Sequence, residues 1–207
     1  MTLWLRVMVV GCMIAAGAAG ATLDEVRDRI ADDAANHRPA IVHVIVALCD
    51  NDHQGIVPVP EHLGNGQNPA HNLYWGAMYG VSSFLLRSAG WKLVSENVHK
   101  TDSILQSFVA TRYIQRDQDS VDVYLVAEAW DGRYIRGATM RFLDAAAGSL
   151  RDSTAILNGK DTVWLSYGTG SQLVCYVGHN GLMDFRPQRQ PIVDTTSRAH
   201  SAIVLAC

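Results

Sequence analysis

The run AIVHVIVAL, from Ala40 to Leu48, constrains the fold of this chain more than any other segment. It is almost unbroken in apolar and β-branched residues, without the polar and apolar alternation of a strand that has one face in water. Such a run predicts a central strand that is buried on both faces, as in parallel sheets covered by helices. We expect His43, within the run, to be a buried histidine with satisfied hydrogen bonds.

The other elements are predicted from apolar spacing and from turn residues. Thr22 and Glu25 have the spacing of a capping box, which predicts a helix from Thr22 to about Asn36. The remaining predicted elements are a long polar loop at 49–72, a helix at 72–90 with Asn72 as N-cap, a strand at 91–98, a hairpin of strands at 107–114 and 120–130, a helix at 139–147, and strands at 172–178 and 202–207.

The order of these elements predicts the architecture. Strand, loop, helix and strand in succession form a βαβ unit, whose right-handed crossover would make the strands at 40–48 and 91–98 parallel neighbours. We therefore predict an α/β protein with a mainly parallel sheet of about five strands flanked by helices. No repeat or change of composition marks a second domain, so residues 22–207 are expected to form one domain.

The first 21 residues predict an export signal. Arg6 precedes an apolar run from Val7 to Ala16, and small residues end the segment at Ala21, where cleavage is expected. The run is shorter than the roughly 18 to 20 apolar residues of a membrane anchor. Lipidation at Cys12 is the alternative, because the residues before it resemble a bacterial lipoprotein cleavage box. The mature chain is expected in the periplasm or outside the cell, with membrane contact only through the signal peptide.

Cysteine count and charge limit the partners and the redox state. Removal of the signal would leave Cys49, Cys175 and Cys207, and an odd number in an oxidising compartment leaves at least one thiol outside any disulfide. Cys49 and Cys175 are expected to be buried thiols, and a disulfide between them would require adjacent strand ends. The formal net charge of −3, with no run of Lys or Arg, argues against a nucleic-acid partner.

A histidine and a cysteine directly follow two predicted strands. His179 comes after the apolar run that ends at Gly178, and Cys207 comes after the last strand. Catalytic side chains gather at the carboxyl ends of parallel strands in open α/β sheets. If these two strands are neighbours, the imidazole can take the thiol proton, which makes a nucleophile and its base. Gly178 and Gly181 would let the backbone turn and present N–H groups to a substrate oxygen.

The segments GHNG at 178–181 and AIVLAC at 202–207 resemble the caspase–legumain–gingipain superfamily of cysteine peptidases, in outline over most of the mature chain. The resemblance implies the caspase–haemoglobinase fold, with three α/β/α layers, and a peptide or protein substrate. It implies that His179 is the general base and acid, that Cys207 attacks the peptide carbonyl, and that the backbone around Gly181 holds the oxyanion. The family's last core strand would follow Cys207, so the chain is expected to be a C-terminally truncated member that is incomplete there, and an inactive version is the alternative to an active one.

The loop after the first strand carries candidate substrate-binding residues. Asp50, Asp52 and His53 would line a cleft at the carboxyl end of that strand, together with Asn180. The two carboxylates would favour a basic substrate side chain. The other potential metal ligands of this loop are Glu61, His62 and His71. A metal-dependent hydrolase that uses residues 50–71 is therefore an alternative, although the spacing matches no familiar metal signature and we expect no cofactor.

The third alternative is an exported α/β binding module without catalysis. It predicts that replacement of His179 or Cys207 by alanine leaves partner binding unchanged, whereas a peptidase would lose activity with either substitution.

Overall fold

The computed structural model describes residues 22–88, 90–98, 101–116, 119–158 and 161–206. The predicted export signal at 1–21 and the candidate nucleophile Cys207 lie outside these described residues. The elements, in chain order, are α1 (Leu23–Ala35), β1 (Ala40–Ala47), α2 (Val81–Arg87), β2 (Lys92–Val98), β3 (Ile104–Arg116), β4 (Asp119–Trp130), α3 (Ile135–Ala146), β5 (Arg151–Asn158), β6 (Asp161–Gly168), β7 (Leu173–Gly178) and β8 (Ser201–Ala206).

The fold is α/β, as predicted, with a mixed and mostly parallel sheet. Its six strands lie in the order β2-β3-β4-β1-β7-β8, one more strand than the predicted five or so. β1 runs parallel to β4 and β7, and β7 runs parallel to β8. β3 runs antiparallel to both of its neighbours. Four parallel strands therefore end at the same edge of the sheet.

β1 is the predicted central strand, and both of its faces are buried. Val44 and Val46 pack on one face in a cluster with Trp75. Ile45 packs on the opposite face in a cluster with Phe142 of α3. Burial of a Val or Ile side chain contributes about 1.5 to 3 kcal/mol, so this apolar run both determines the position of β1 and supplies much of the core.

The predicted pairing of the strands at 40–48 and 91–98 is wrong. β2 lies at the edge of the sheet and pairs antiparallel with β3, while β4 and β7 occupy the two sides of β1. The hairpin of β3 and β4, which was predicted, is paired along its length and inserts between β1 and β2. Such long-range pairing is not encoded in the local order of elements.

The predicted helix at 72–90 is also wrong in its first half. Residues 72–80 form turns, and α2 begins only at Val81 with Gly80 as its N-cap. Asn72 caps no helix because turns follow it, although its Oδ1 accepts from the N–H of Tyr74 at 3.1 Å. Its side chain also hydrogen bonds the backbone N–H and carbonyl of Cys49 at 3.0 and 2.8 Å. Of the apolar residues at helical spacing in this half, Met78 is exposed, and it is the adjacent Trp75 that the turns bury.

The remaining helices agree more closely with the sequence. α1 begins with the predicted capping box, in which Thr22 Oγ1 accepts from the Glu25 N–H at 3.2 Å. α3 begins at Ile135, four residues before the predicted start at Thr139. None of the helices in the described residues has the length and apolar character needed to cross a lipid bilayer.

A second, two-stranded sheet was not predicted in this form. β5 and β6 make an antiparallel hairpin of their own. Ile156, Leu165 and Tyr167 of this hairpin pack with Ile41 and Val126 of the main sheet.

Candidate functional site

The candidate site lies at the carboxyl edge of the sheet. Because β4, β1, β7 and β8 run parallel, the residues that follow these strands meet at this edge. Asp131 follows β4, Asp50 lies three residues beyond β1, and His179 follows β7. All three residues are buried. Ionisable side chains are thus held inside the protein where the parallel strands end.

The backbone before His179 takes a conformation that favours glycine. Gly178 has a φ of +153°, and a Cβ atom there would lie 2.8 Å from the carbonyl oxygen of Ala47 on β1. The hydroxyl of Tyr176 donates a hydrogen bond of 2.8 Å to the carbonyl oxygen of His179. Burial raises the pKa of Tyr176 to about 12, so this donor keeps its proton at neutral pH. The backbone of His179 is therefore held by the conformation of Gly178 before it and by the hydrogen bond from Tyr176 to its carbonyl oxygen.

The imidazole of His179 is paired with a carboxylate. Its Nε2 lies 2.9 Å from Oδ2 of Asp184, and only 5% of the His179 side chain is exposed. The same carboxylate oxygen accepts a hydrogen bond of 3.0 Å from the N–H of Gly55. A carboxylate at Nε2 favours the tautomer with the proton on Nε2, which leaves Nδ1 as the basic nitrogen. Asp184 therefore fixes the tautomer and the orientation of the His179 ring.

A short 3-10 turn connects His179 and Asp184. Gly181 begins this turn, and its N–H donates to the carbonyl oxygen of His179 at 2.9 Å. A Cβ atom at Gly181 would lie 2.6 Å from the Phe185 ring. A substrate oxygen would have to replace the bond to His179 in order to use the Gly181 N–H as an oxyanion donor.

The strand that precedes Cys207 is the parallel neighbour of the strand that precedes His179. β8 pairs with β7 in a register that sets Ala206 opposite Gly178. The sequence condition that these two strands are neighbours is thus met. Cys207 itself lies outside the described residues.

Asp50 forms the centre of a second polar cluster. Its Oδ1 accepts hydrogen bonds from the N–H groups of Asp52 and His53 at 3.0 and 3.2 Å. His53 Nδ1 lies 3.0 Å from both carboxylate oxygens, and Gln67 Nε2 donates to Oδ2 at 2.8 Å and to Asp131 at 3.0 Å. These contacts engage both oxygens of Asp50, so it anchors the loop. The His53 ring, by contrast, is 47% exposed.

The other predicted site residues are more dispersed. Asp52 is exposed, and Asn180 is half-buried beside His179. Within the part of the chain that the structure describes, no three His, Cys, Asp or Glu side chains are grouped so that they could hold a metal ion. Cys49 and Cys175 form no disulfide, and burial raises the pKa of Cys175 to about 11.

Sequence reasoning missed several polar residues of this edge. They are Gln54, Gln67, Asp131 and Asp184. Gln54 donates from Nε2 to the carbonyl oxygens of Leu48 and Gly132 at 2.7 and 3.2 Å, which ties the loop to the ends of β1 and β4. The glutamines carry no sequence signal that separates them from solvated residues. Asp184 has one, because Gly181 allows a turn that returns a carboxylate to the histidine.

The site thus combines a buried histidine paired with a partly exposed carboxylate, a parallel strand that leads to a cysteine, and an ordered polar loop. Comparisons of the chain with protein-family models, with curated proteins and with solved structures found no match.

Proposed function

We propose that this chain is an exported hydrolase of the cysteine-peptidase type, with Cys207 as nucleophile, His179 as its base and Asp184 as the residue that orients His179. The observation that carries the proposal is the pairing of β7 with β8. Gly178, which precedes His179 in the sequence, pairs with Ala206, which precedes Cys207. Equivalent positions at the ends of adjacent parallel strands lie about 4.8 Å apart along the sheet, a spacing that suits a side-chain dyad.

The proposed chemistry is acyl transfer to a thiol. His179 Nδ1 takes the proton of the Cys207 thiol, and the thiolate attacks the carbonyl carbon of a peptide bond. The imidazolium then gives its proton to the leaving amine as the carbon–nitrogen bond breaks, which forms a thioester. His179 then takes a proton from the water that attacks the thioester. As the carbon–sulfur bond breaks, the imidazolium returns this proton to the thiolate, which releases the acid and restores the thiol. The Asp184 carboxylate stabilises the imidazolium during both steps.

The arrangement of the helices supports a caspase-like three-layer fold as part of this proposal. Val81 and Leu85 of α2 pack with the cluster that contains Val44 of β1. Ala138 and Phe142 of α3 pack in the other cluster, which lies on the opposite face of the same strand.

The test is cleavage of a peptide library, read by mass spectrometry, with the full chain. We expect wild-type cleavage and its loss, by about a hundredfold or more, in His179→Ala and Cys207→Ala, because base and nucleophile act as one unit. His62→Ala, a change of an exposed histidine in the loop, is the matched control and should retain activity. Cleavage that persists in both site variants would refute the dyad.

A non-catalytic binding module is the second candidate, and the burial of His179 favours it. An imidazole that is 5% exposed meets a substrate only if the surrounding chain opens. This candidate predicts that no peptide in the library is cleaved. It also predicts that wild type, His179→Ala and Cys207→Ala bind a partner with equal affinity.

A further inference from the structure

A groove lined by arginines adjoins the candidate site. It lies between the first two turns of α3 and the segment that follows Asp184, and its volume is about 450 Å³. Arg136, Met140, Phe185, Arg186 and Arg189 contribute the side chains used below. We call this feature the arginine groove.

Two of its three arginines carry uncompensated charge. Arg189 donates to both carboxylate oxygens of Asp144, one at 2.9 Å, so that charge is neutralised. Among the described residues, neither Arg136 nor Arg186 forms an ion pair, and both are exposed. Two guanidinium groups therefore concentrate positive charge in a chain whose formal net charge is −3.

The groove also has a fixed aromatic floor. The guanidinium carbon of Arg136 lies 4.5 Å from the centroid of the Phe185 ring. This cation–π contact restrains the guanidinium beside the ring, and a guanidinium carries five N–H donors that can meet an anion. Met140 adds apolar surface beside the ring. Arg136 is thus pre-organised, which lowers the entropic cost of binding.

A larger cavity at the amino edge of the sheet is also lined by arginines, but these arginines have partners within the fold. Its volume is about 750 Å³ and four arginines line it. Arg29 donates to backbone carbonyl oxygens, including that of Ser171 at 2.9 Å. Arg29 also forms an ion pair with Asp33 at 3.6 Å. Arg38 and Arg198 pair with Asp32 and Asp33, and Arg151 pairs with Asp194. Partners within the fold therefore compensate the charges of these four arginines, whereas Arg136 and Arg186 form no ion pair with the described residues.

Phe185 connects the groove to the turn between His179 and Asp184. Phe185 follows Asp184 directly, and its ring packs against the backbone of Gly181 in the turn after His179. The groove therefore lies beside the turn that follows β7.

We propose that the arginine groove binds an oxyanion, a carboxylate or phosphate group, through Arg136 and Arg186. Guanidinium groups match the planar, bidentate geometry of carboxylate and phosphate oxygens. The anion is either a free small ion or an acidic side chain of a peptide. Binding needs no turnover, so this site does not depend on the proposed hydrolase activity.

The test is isothermal titration calorimetry of the full chain with two kinds of probe. One is inorganic phosphate, and the other is a pair of capped peptides that differ only in Glu or Gln at one position. The test variant is R136Q/R186Q, and R27Q/R112Q is the matched control, since it removes the same charge from exposed arginines outside the groove. The same titrations in His179→Ala separate this proposal from the hydrolase proposal, because binding should survive there.

We expect at least one probe to bind wild type and the control equally, and to bind R136Q/R186Q at least tenfold more weakly. Preference for the Glu over the Gln peptide assigns the site to an acidic side chain, and binding of phosphate without that preference assigns it to a free anion. Equal affinity of R136Q/R186Q and wild type for every probe, or no binding of any probe to wild type, would overturn the proposal.

Discussion

At the residue scale, Asp184 is the partner of His179 that the sequence did not point to. His179 was predicted from its place after an apolar strand, but a histidine in that position needs a partner to fix its tautomer. Asp184 supplies it from five residues further along the chain, through the turn at Gly181. Gly55 holds the carboxylate from the other side. The sequence predicted the histidine and not the carboxylate, because that contact depends on the turn.

Replacement of Asp184 by alanine should therefore weaken proton transfer by His179. We expect alkylation of Cys207 by iodoacetamide at pH 6.5, mapped by mass spectrometry, to slow by roughly tenfold or more, since an unoriented imidazole is a poorer base. Asp24→Ala on the surface of α1 is the matched control and should react as wild type does. An unchanged rate in Asp184→Ala would show that the carboxylate has no part in the chemistry.

At the element scale, the loop after β1 is ordered by buried side-chain amides. Asn72 is fully buried and bonds both backbone groups of Cys49, and its Nδ2 also donates to the carbonyl oxygen of Asn65 at 3.1 Å. The sequence predicts a long polar loop because Gly, Pro and Asn are frequent in it. The structure instead has a packed segment whose first part approaches Asp184.

Asn72→Ala should release this loop. The change leaves the N–H and carbonyl of Cys49 without their partner, and we expect a loss of about 2 kcal/mol in the free energy of unfolding. Urea denaturation measures the loss, and hydrogen exchange should show faster opening of residues 49–72. Asn97→Ala on exposed β2 is the control and should change neither quantity. If residues 49–72 exchange hydrogen in Asn72→Ala at the same rate as in wild type, other contacts order the loop.

The elements that the sequence predicted are those with a strong local signal. β1, β7 and β8 are apolar runs, and α1 has its capping box, so their existence follows from residue type alone. The start of α2 was mispredicted because Tyr74 and its neighbours have helical spacing but are held by the contacts of Asn72. The place of β2 was mispredicted because strand pairing is decided by long-range contacts.

At the scale of the whole molecule, a buried charge network joins the main sheet to the hairpin of β5 and β6. Glu128 on β4 accepts hydrogen bonds from Arg141 of α3 at 2.7 and 2.9 Å, and Arg141 also donates to Asp152 on β5 at 2.6 Å. His43 lies 3.5 Å from Glu128, and the hydroxyl of Tyr167 on β6 donates to Glu128 at 3.3 Å. One carboxylate thus connects strands of both sheets and a helix.

The ionisation of Glu128 should make stability depend on pH. Burial alone would raise the pKa of Glu128, but the contacts with His43 and Arg141 hold it well below its ordinary value. Since the unfolded carboxyl titrates near about 4.3, its contribution is fully present above that pH and is lost as the pH falls below it. Burial lowers the pKa of His43, so acidification through about 6.5 destabilises the fold in the same direction.

Glu128→Gln should lower the free energy of unfolding at pH 7 by about 3 kcal/mol, because it leaves the Arg141 charge without its main buried partner. Urea denaturation should be measured from pH 7 to pH 3. The difference in free energy of unfolding between variant and wild type should decrease as the pH falls toward 3. Glu61→Gln, an exposed change, should follow wild type throughout. A gap that stays constant with pH would argue against an ionised Glu128 in the folded protein.

The pH profile of Cys207 alkylation in the full chain, compared with that in His179→Ala, decides whether His179 and Cys207 form a dyad. We predict fast labelling of Cys207 below pH 7 in wild type and slow labelling, recovered only at alkaline pH, in His179→Ala. Cys175 serves as the internal reference, since its pKa of about 11 should keep it inert over the same range. Labelling of Cys207 that is equally slow with and without His179 would contradict the dyad.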